Sequence, residues 1–164
     1  MAVSFVRVDD RMIHGQTCTR WALEYPCDGI VAVNDMAAGN PVLKAAYKSA
    51  SGKKTFVWGL EEFKAKAQKV LDSKDQYFLI TKNPIDMAKI LVDMKFNPGV
   101  KTVVIGPCND RPGTTKLGNN QSITQEEAEA LERIMQAGYE VEFALIKEEA
   151  IGNWRKFRGQ FGFN

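Results

Sequence analysis

Short apolar segments alternate with longer amphipathic segments along the 164-residue chain. The short segments are rich in β-branched and aromatic residues, a composition typical of buried strands. The longer segments repeat apolar residues at helical spacing, so that Phe63, Ala67 and Val70 share one face of a predicted helix. This alternation predicts an α/β fold with an open, mostly parallel sheet and helices on both faces. The predicted strands cover residues 3–8, 30–34, 55–58, 77–80, 100–105 and 140–145.

Local signals mark the ends of several predicted helices. Asn83 before Pro84 is a favourable N-cap, and residues 124–127 read Thr-Gln-Glu-Glu, which is a capping box. Residues 106–121 are rich in proline, glycine and asparagine and predict a long loop after the fifth strand. The predicted helices cover residues 15–24, 41–49, 61–71, 84–94 and 124 to about 138, with a last helical turn at 151–157.

Composition narrows the class of protein. A chain of this length, with 45% hydrophobic and 26% charged residues, is typical of one soluble domain. A formal charge of +2 disfavours nucleic acid as the main partner. Three cysteines are too few for a disulfide framework and indicate free thiols in a reducing compartment. Because the sequence has neither a secretory leader nor a long apolar run, we expect a cytoplasmic chain.

The first loop concentrates groups that suit phosphate chemistry. In an open parallel sheet, ligands bind outside the carboxyl ends of the strands. The loop after the first predicted strand contains Asp9, Asp10, Arg11 and His14, the only histidine of the chain. A neutral imidazole is a nucleophile that can accept a phosphoryl group. A carboxylate from Asp9 or Asp10 would hold one ring nitrogen as a donor and leave the lone pair of the other nitrogen free.

The neighbouring residues add phosphate ligands to this hypothesis. The guanidinium of Arg11 matches the geometry of phosphate oxygens. Gly15 and Gln16 open the first predicted helix, whose positive N-terminal end favours an anion. The residues alone leave two readings open, because His14 can also be structural and an Asp-Asp-Arg sequence can be a solvated ion pair or a helix cap.

A resemblance to a known family adds to this hypothesis. Residues 7–16 read Arg-Val-Asp-Asp-Arg-Met-Ile-His-Gly-Gln and are followed by Thr-Arg-Trp at 19–21. This stretch resembles the active-site signature of the sorbose/mannose-family IIB subunits of the bacterial sugar phosphotransferase system (PTS). Supporting similarity lies at residues 31–35, 81–84 and 103–106, so that the resemblance spans most of the chain. Near the sixth strand the family often has Arg-Gln-Val-Pro, where residues 143–148 read Phe-Ala-Leu-Ile-Lys-Glu.

The resemblance implies a phosphocarrier. It implies that His14 takes a phosphoryl group from a histidine on a IIA protein, with Arg11 in contact with that group, and passes it to a sugar carried by the membrane subunits IIC and IID. It implies a three-layer α/β/α sandwich with six or seven strands, a single IIB domain over residues 1–164, and peripheral association with the membrane permease. We expect no cofactor and no metal, and a homodimer is compatible with the family. The sugar itself is not specified.

Two other functions remain as alternatives to histidine phosphotransfer. A receiver-like signalling domain would need an aspartate at the end of the third strand and a lysine at the end of the fifth. The chain has Val-Trp-Gly at 57–59 and Ile-Gly-Pro at 105–107. The other alternative is a module that binds an anion in the first loop without forming a covalent bond.

Several further residues have a structural and a functional interpretation. Cys108 in the predicted long loop is the internal rival to His14 as phosphoryl acceptor, whereas Cys18 should be packed one helical turn after His14. For Arg111 we favour an ordinary exposed arginine over a phosphate or partner contact, and Asn109 carries the same two interpretations. Asp35 is a candidate helix cap or pocket residue, and Trp21 and Tyr25 are candidates for the core or an interface. The basic, aromatic tail at residues 153–164 can pack on the body, bind a second subunit or contact the membrane complex.

Overall fold

The structure is a computed structural model and describes residues 2–164, apart from the side chains of residues 16, 17 and 19. Within these residues, seven strands form one sheet and two short strands form a separate hairpin. The strands are β1 (Val3–Val8), β2 (Gly29–Val33), β3 (Lys54–Trp58), β4 (Tyr77–Thr81), β5 (Thr102–Ile105), β6 (Thr115–Gly118), β7 (Gln121–Ile123), β8 (Glu140–Ala144) and β9 (Ala150–Asn153).

The main sheet has the order β3-β2-β4-β1-β5-β8-β9. Its neighbouring strands are parallel except for the antiparallel pair of β8 and β9 at one edge. The helices are α1 (Gly15–Ala22), α2 (Asp35–Ala38), α3 (Pro41–Ser51), α4 (Leu60–Leu71), α5 (Pro84–Ala88), α6 (Gln125–Gln136) and α7 (Trp154–Phe157), with a π-helical turn at Lys89–Asp93 and 3₁₀ turns at Lys147–Glu149 and Arg158–Phe161.

Helices cover both faces of the main sheet and divide the core in two. One apolar cluster joins Trp21 of α1 and Tyr47 of α3 to Phe5 in the sheet. The other joins α4, α5, α6 and α7 to the opposite face, with Phe63 and Leu131 fully buried. These two layers of helices around a mostly parallel sheet confirm the predicted three-layer α/β/α fold.

The strongest local signals are confirmed. Asn83 caps α5 by accepting a hydrogen bond from the backbone N–H of Asp86 at 2.8 Å. Thr124 and Glu127 form the complete capping box of α6. The helix predicted at 84–94 is shorter, because α5 ends at Ala88 and the chain continues as a wider π-helical turn.

The prediction of a long loop at residues 106–121 is only partly right. Residues 106–114 are irregular, but β6 and β7 then form an antiparallel hairpin. Asn120 adopts the left-handed conformation in the tight turn between them, with φ 53°. Asparagine tolerates this conformation better than most residues, so the same Asn-Asn pair that indicated a loop closes a hairpin.

The C-terminal tail packs on the body of the domain. After β9, the rings of Trp154, Phe157 and Phe161 are buried, and Phe157 meets Phe143 of β8 at 5.2 Å between ring centroids. Glu132 of α6 accepts hydrogen bonds from Trp154 Nε1 and from Arg158 Nε, each at 2.9 Å. The bonds from Arg158 lower the pKa of Glu132 to about 2. Of the three roles considered for the aromatic residues, the structure shows packing on the body.

No helix in the described part of the chain is both long enough and apolar enough to cross a bilayer.

Candidate functional site

The end of β1 lies at the point where the sheet changes its winding direction. The helix that follows β1 packs on one face, whereas the helices that follow its neighbours β4 and β5 pack on the other. A crevice opens at such a point, and ligands of doubly wound sheets bind there. The first loop, with its acidic, basic and imidazole groups, therefore stands at the expected place for a ligand site.

The backbone of this loop is held by the Asp9 carboxylate and by two buried apolar residues. Oδ1 of Asp9 accepts a hydrogen bond from the backbone N–H of Arg11 at 2.9 Å. Met12 is in the left-handed conformation, with φ 55°, which is unfavourable for a residue with a side chain. Met12 and Ile13 are buried in the core cluster beneath α1 and hold the turn in place. As a result, His14 occupies the N-cap position of α1.

His14 is oriented by Asp9. Its Nε2 lies 3.2 Å from Oδ2 of Asp9, whose residue surface is fully buried. Because an ionised carboxylate only accepts hydrogen bonds, Nε2 carries the proton of the neutral ring and Nδ1 keeps its lone pair. Among the residues that the structure describes, none hydrogen-bonds to Nδ1. The His14 side chain is 16% exposed, so the ring is partly accessible from solvent.

Asp10 does not share this role, although both carboxylates were candidates in the sequence. Its Oδ2 accepts a hydrogen bond from the backbone N–H of Asn109 at 2.7 Å, and its own N–H donates to the carbonyl of Pro107. These bonds turn its carboxylate away from His14 and tie the first loop to the loop after β5. Burial raises the pKa of the Asp10 carboxyl.

The residues predicted to bind phosphate lie next to His14, and the structure describes them to different extents. The Arg11 side chain is exposed and forms no ion pair with any described residue. Gly15 is the exposed first residue of α1. Gln16 follows it in the helix, but its side chain lies outside the described part of the structure. The His14 side chain makes no capping bond to α1, so the positive end of the helix dipole faces the region around the ring.

Arg7 is a residue of the site that the sequence analysis missed as a functional candidate. It is 2% exposed, and its Nε lies 3.3 Å from Oδ2 of Asp9. Its two terminal nitrogens donate to the carbonyls of Ala144 and Leu145 at 3.1 and 2.9 Å, and its guanidinium lies 5.2 Å from the Trp21 ring centroid. Burial lowers the pKa of Arg7, while the Asp9 carboxylate opposes that effect. The sequence signal that could have identified Arg7 is that it is a charged residue inside the otherwise apolar strand β1.

A polar cleft of about 410 Å³ adjoins the first loop. Arg111 lies in this cleft and forms an ion pair with Glu127 of α6 at 2.9 Å. It also donates to the carbonyls of Asn109 and Ser122, so it is a structural link between the loop and α6. The cleft is lined by Asp10, Lys82, Asn83, Cys108, Asn109, Asp110, Arg111 and Glu127.

The structure separates the cysteines from the transfer chemistry. Cys18 is buried, as predicted for a residue one turn after His14. Cys108 is 2% exposed, and burial raises the pKa of its thiol to about 12. Since the thiolate is the nucleophilic form of cysteine, Cys108 is a poor phosphoryl acceptor compared with His14.

Three further candidates are structural. Asp35 accepts a hydrogen bond from the backbone N–H of Leu60 at 2.8 Å, so it caps α4. Asn34 caps α2 by accepting from Ala37 N. Trp21 is buried against Phe5, and Tyr25 stacks on the same ring with 37% of its surface exposed.

Comparison with known proteins identifies the family of this chain. The family model described as "PTS system sorbose subfamily IIB component" matches residues 3–163. The chain is 27% identical over 153 residues to the "PTS system mannose-specific EIIAB component" of Escherichia coli (strain K12), a match that covers 91% of this chain and 46% of that protein. It is 25% identical to the "PTS system fructose-specific EIIB component" of Bacillus subtilis (strain 168), with 92% and 91% covered. The chain thus spans less than half the length of the Escherichia coli relative.

Solved structures confirm the fold. The IIBSor domain of the sorbose permease from Klebsiella pneumoniae matches with a TM-score of 0.86 and 23% identity, over 97% of this chain and 98% of that chain. At this identity the likeness concerns the fold alone. The family match over residues 3–163 shows that the chain belongs to the sorbose-subfamily IIB components of the PTS.

Proposed function

We propose that this protein is a phosphocarrier in sugar uptake that accepts a phosphoryl group on Nδ1 of His14. The single observation that carries the proposal is the bond between Nε2 of His14 and the buried carboxylate of Asp9. This contact fixes the tautomer in which Nδ1 is the nucleophile, on a ring that is partly exposed. Membership of this PTS family also supports a histidine as the residue that carries the phosphoryl group.

The first transfer moves one phosphoryl group between two imidazoles. The lone pair of Nδ1 of His14 forms the new P–N bond while the P–N bond of the donor breaks, and the bonding electrons return to the donor ring. Positive charge develops on the His14 ring in this step, and the ionised Asp9 next to Nε2 stabilises it. Electrostatic stabilisation and alignment are most of what phosphoryl transfer requires from a protein.

The second transfer passes the group to a sugar. The oxygen of a sugar hydroxyl attacks phosphorus, the bond from phosphorus to Nδ1 breaks, and its electron pair returns to the ring while the hydroxyl proton leaves to solvent. Arg11 and the positive end of α1 balance the negative charge on the moving group in both steps. We propose these contacts also for Gly15 and Gln16, through the backbone of the first helical turn.

We further propose that residues 1–164 act as a single IIB domain with a IIA protein as donor and IIC and IID as membrane partners. The combined EIIAB name of the Escherichia coli relative supports IIA as the donor. Association with IIC and IID would place the protein on the cytoplasmic side of the membrane. Mannose and fructose in the names of relatives support a hexose as the final acceptor.

The chemistry of the bond tests the proposal. The protein is incubated with phosphorylated IIA, isolated, and exposed to acid and to alkali. We expect a label that is stable in alkali and lost in acid, as for phosphohistidine. His14→Ala should take up no label, whereas Cys108→Ala should label like the original protein.

Each alternative predicts a different result. An alkali-labile bond would indicate an aspartyl phosphate, and the absence of any covalent label would indicate a simple anion-binding module. A label that persists in His14→Ala would refute the assignment of His14.

A further inference from the structure

We propose that Arg7 is the positioning residue of this site, which holds the Asp9 carboxylate against Nε2 of His14 and so selects Nδ1 as the nucleophile. The inference rests on the proposed function, because it concerns how the same histidine is made reactive. Arg7 does not face the phosphoryl group and would act only through Asp9.

The strand places the two residues together on the side of α1. Successive side chains of a strand point to opposite faces, so Arg7 shares one face of β1 with Phe5, and Asp9, directly after the end of the strand, continues this alternation. Arg7 Nε and His14 Nε2 both lie next to the same oxygen, Oδ2 of Asp9, at 3.3 and 3.2 Å. The other oxygen, Oδ1, is held by the backbone of Arg11. The carboxylate is therefore fixed from two sides, and its direction toward the ring is defined.

Arg7 is itself immobilised by contacts that do not involve the loop. Its terminal nitrogens bind the carbonyls of Ala144 and Leu145, at the end of β8, and Trp21 packs against its guanidinium. Gly106 provides the space, since a Cβ at this position would overlap a terminal nitrogen of Arg7. Because these contacts fix the Arg7 side chain, Arg7 determines the position of the Asp9 carboxylate and does not move to follow it.

Among the described residues, Arg7 is the one guanidinium or ammonium group within ion-pair distance of Asp9, and the other pair of this carboxylate is with His14 itself. The other titratable groups around this carboxylate are Asp10 on the loop, Cys18 on α1, Tyr47 on α3 and Cys108 after β5. Carboxyl, thiol and phenol groups carry no positive charge in either protonation state, so none of these four residues can replace Arg7 as the countercharge of Asp9. A buried carboxylate without a countercharge has an uncompensated desolvation cost. Without Arg7, Asp9 would lose its countercharge and one of the two contacts that fix its direction toward the ring, so it would no longer select the tautomer.

The single histidine of the chain makes this testable by spectroscopy. In ¹⁵N-histidine-labelled protein, the nitrogen shifts at pH 8 report which ring nitrogen carries the proton. We expect a predominant Nε2–H tautomer in the original protein and a mixture in Arg7→Met. We also expect phosphoryl transfer at pH 7 to fall at least tenfold in Arg7→Met. Arg7→Lys, which keeps the charge, should recover most of the tautomer preference.

A second variant perturbs Arg7 without removing its charge. Gly106→Ala forces a methyl group against the guanidinium and should reduce the Nε2–H fraction in a folded protein. Arg133→Ala is the matched control, because Arg133 is an exposed arginine of α6 paired with Asp93. It should leave both the tautomer and the rate unchanged.

The proposal is overturned if folded Arg7→Met keeps the original tautomer, or if it transfers the phosphoryl group as fast as the original protein. If Arg7→Met does not fold, an unchanged tautomer in folded Gly106→Ala overturns it. The tautomer measurement needs no phosphoryl donor. A failure of the original protein to accept phosphate would therefore count against the proposed function, and an unaltered tautomer in Arg7→Met and Gly106→Ala would count against the role of Arg7.

Discussion

Replacing Asp9 with asparagine perturbs the proposed nucleophile with almost no change in side-chain volume. In the structure, Oδ2 meets Arg7 Nε and His14 Nε2, while Oδ1 meets the backbone N–H of Arg11. The asparagine amide has only one oxygen, so it can accept hydrogen bonds at only one of the two positions that Oδ1 and Oδ2 of Asp9 occupy. In one orientation its NH₂ group faces His14 and moves the ring proton to Nδ1. In the other it opposes the N–H of Arg11.

Both orientations of the amide in the Asp9→Asn variant slow the transfer. The first blocks the lone pair of Nδ1, and the second removes the negative charge that stabilises the developing positive ring. Removing one preorganised electrostatic contact costs about 3 to 4 kcal/mol, so we expect the rate to fall roughly 10²- to 10³-fold.

The assay is rapid-quench labelling of the protein by phosphorylated IIA, with the fold checked by circular dichroism and thermal unfolding. Asp10→Asn is the matched control, since the Asp10 carboxylate is bonded to Asn109 and not to the ring. Its rate should stay within about threefold of the original, as expected for a group outside the reacting centre. A folded Asp9→Asn variant with an unchanged rate would refute the role of Asp9.

The remaining predictions concern charge, stability and reactivity. Arg11→Ala should slow transfer about 10²- to 10³-fold with an unchanged melting temperature, because its side chain is exposed; a decrease below about threefold would contradict the phosphate contact. Glu132→Gln should lower the free energy of unfolding by about 1 to 2 kcal/mol at pH 7, since a carboxyl whose pKa is depressed by folding stabilises the fold at any pH above its unfolded pKa. That difference should vanish as the pH falls from 4.5 to about 2, as measured by urea titration, and a pH-independent difference would contradict it. In the native protein, iodoacetamide should modify Cys108 far more slowly than in urea, and equal rates would contradict its burial.

The elements specified by local signals could be predicted from the sequence. Thr124 and Glu127 lie three residues apart, and each side chain bonds to the backbone of the other, so their capping box needs no knowledge of the rest of the chain, although Glu127 also pairs with Arg111. The strand β1 was predictable from its run of apolar residues, and the histidine loop from the charged residues that follow that run. The edge strand β9 was missed because it is short and pairs with β8, which comes before it across a 3₁₀ turn.

The internal arrangement of the site was only partly predictable. The motif placed Asp9, Asp10 and His14 together, but it could not show which carboxylate meets the ring. That choice depends on Asn109, 99 residues away, whose backbone takes the Asp10 carboxylate. The function of Arg7 was hidden for a similar reason, because its carbonyl partners are 137 and 138 residues further along the chain.

The most direct test of the central claim is the position of the phosphoryl group on the imidazole. We would phosphorylate the ¹⁵N-histidine-labelled protein with phosphorylated IIA and measure one-bond coupling between ³¹P and ¹⁵N. We predict coupling to Nδ1 of His14, with Nε2 still protonated beside Asp9. Coupling to Nε2, or phosphorus bound to any other residue, would contradict it.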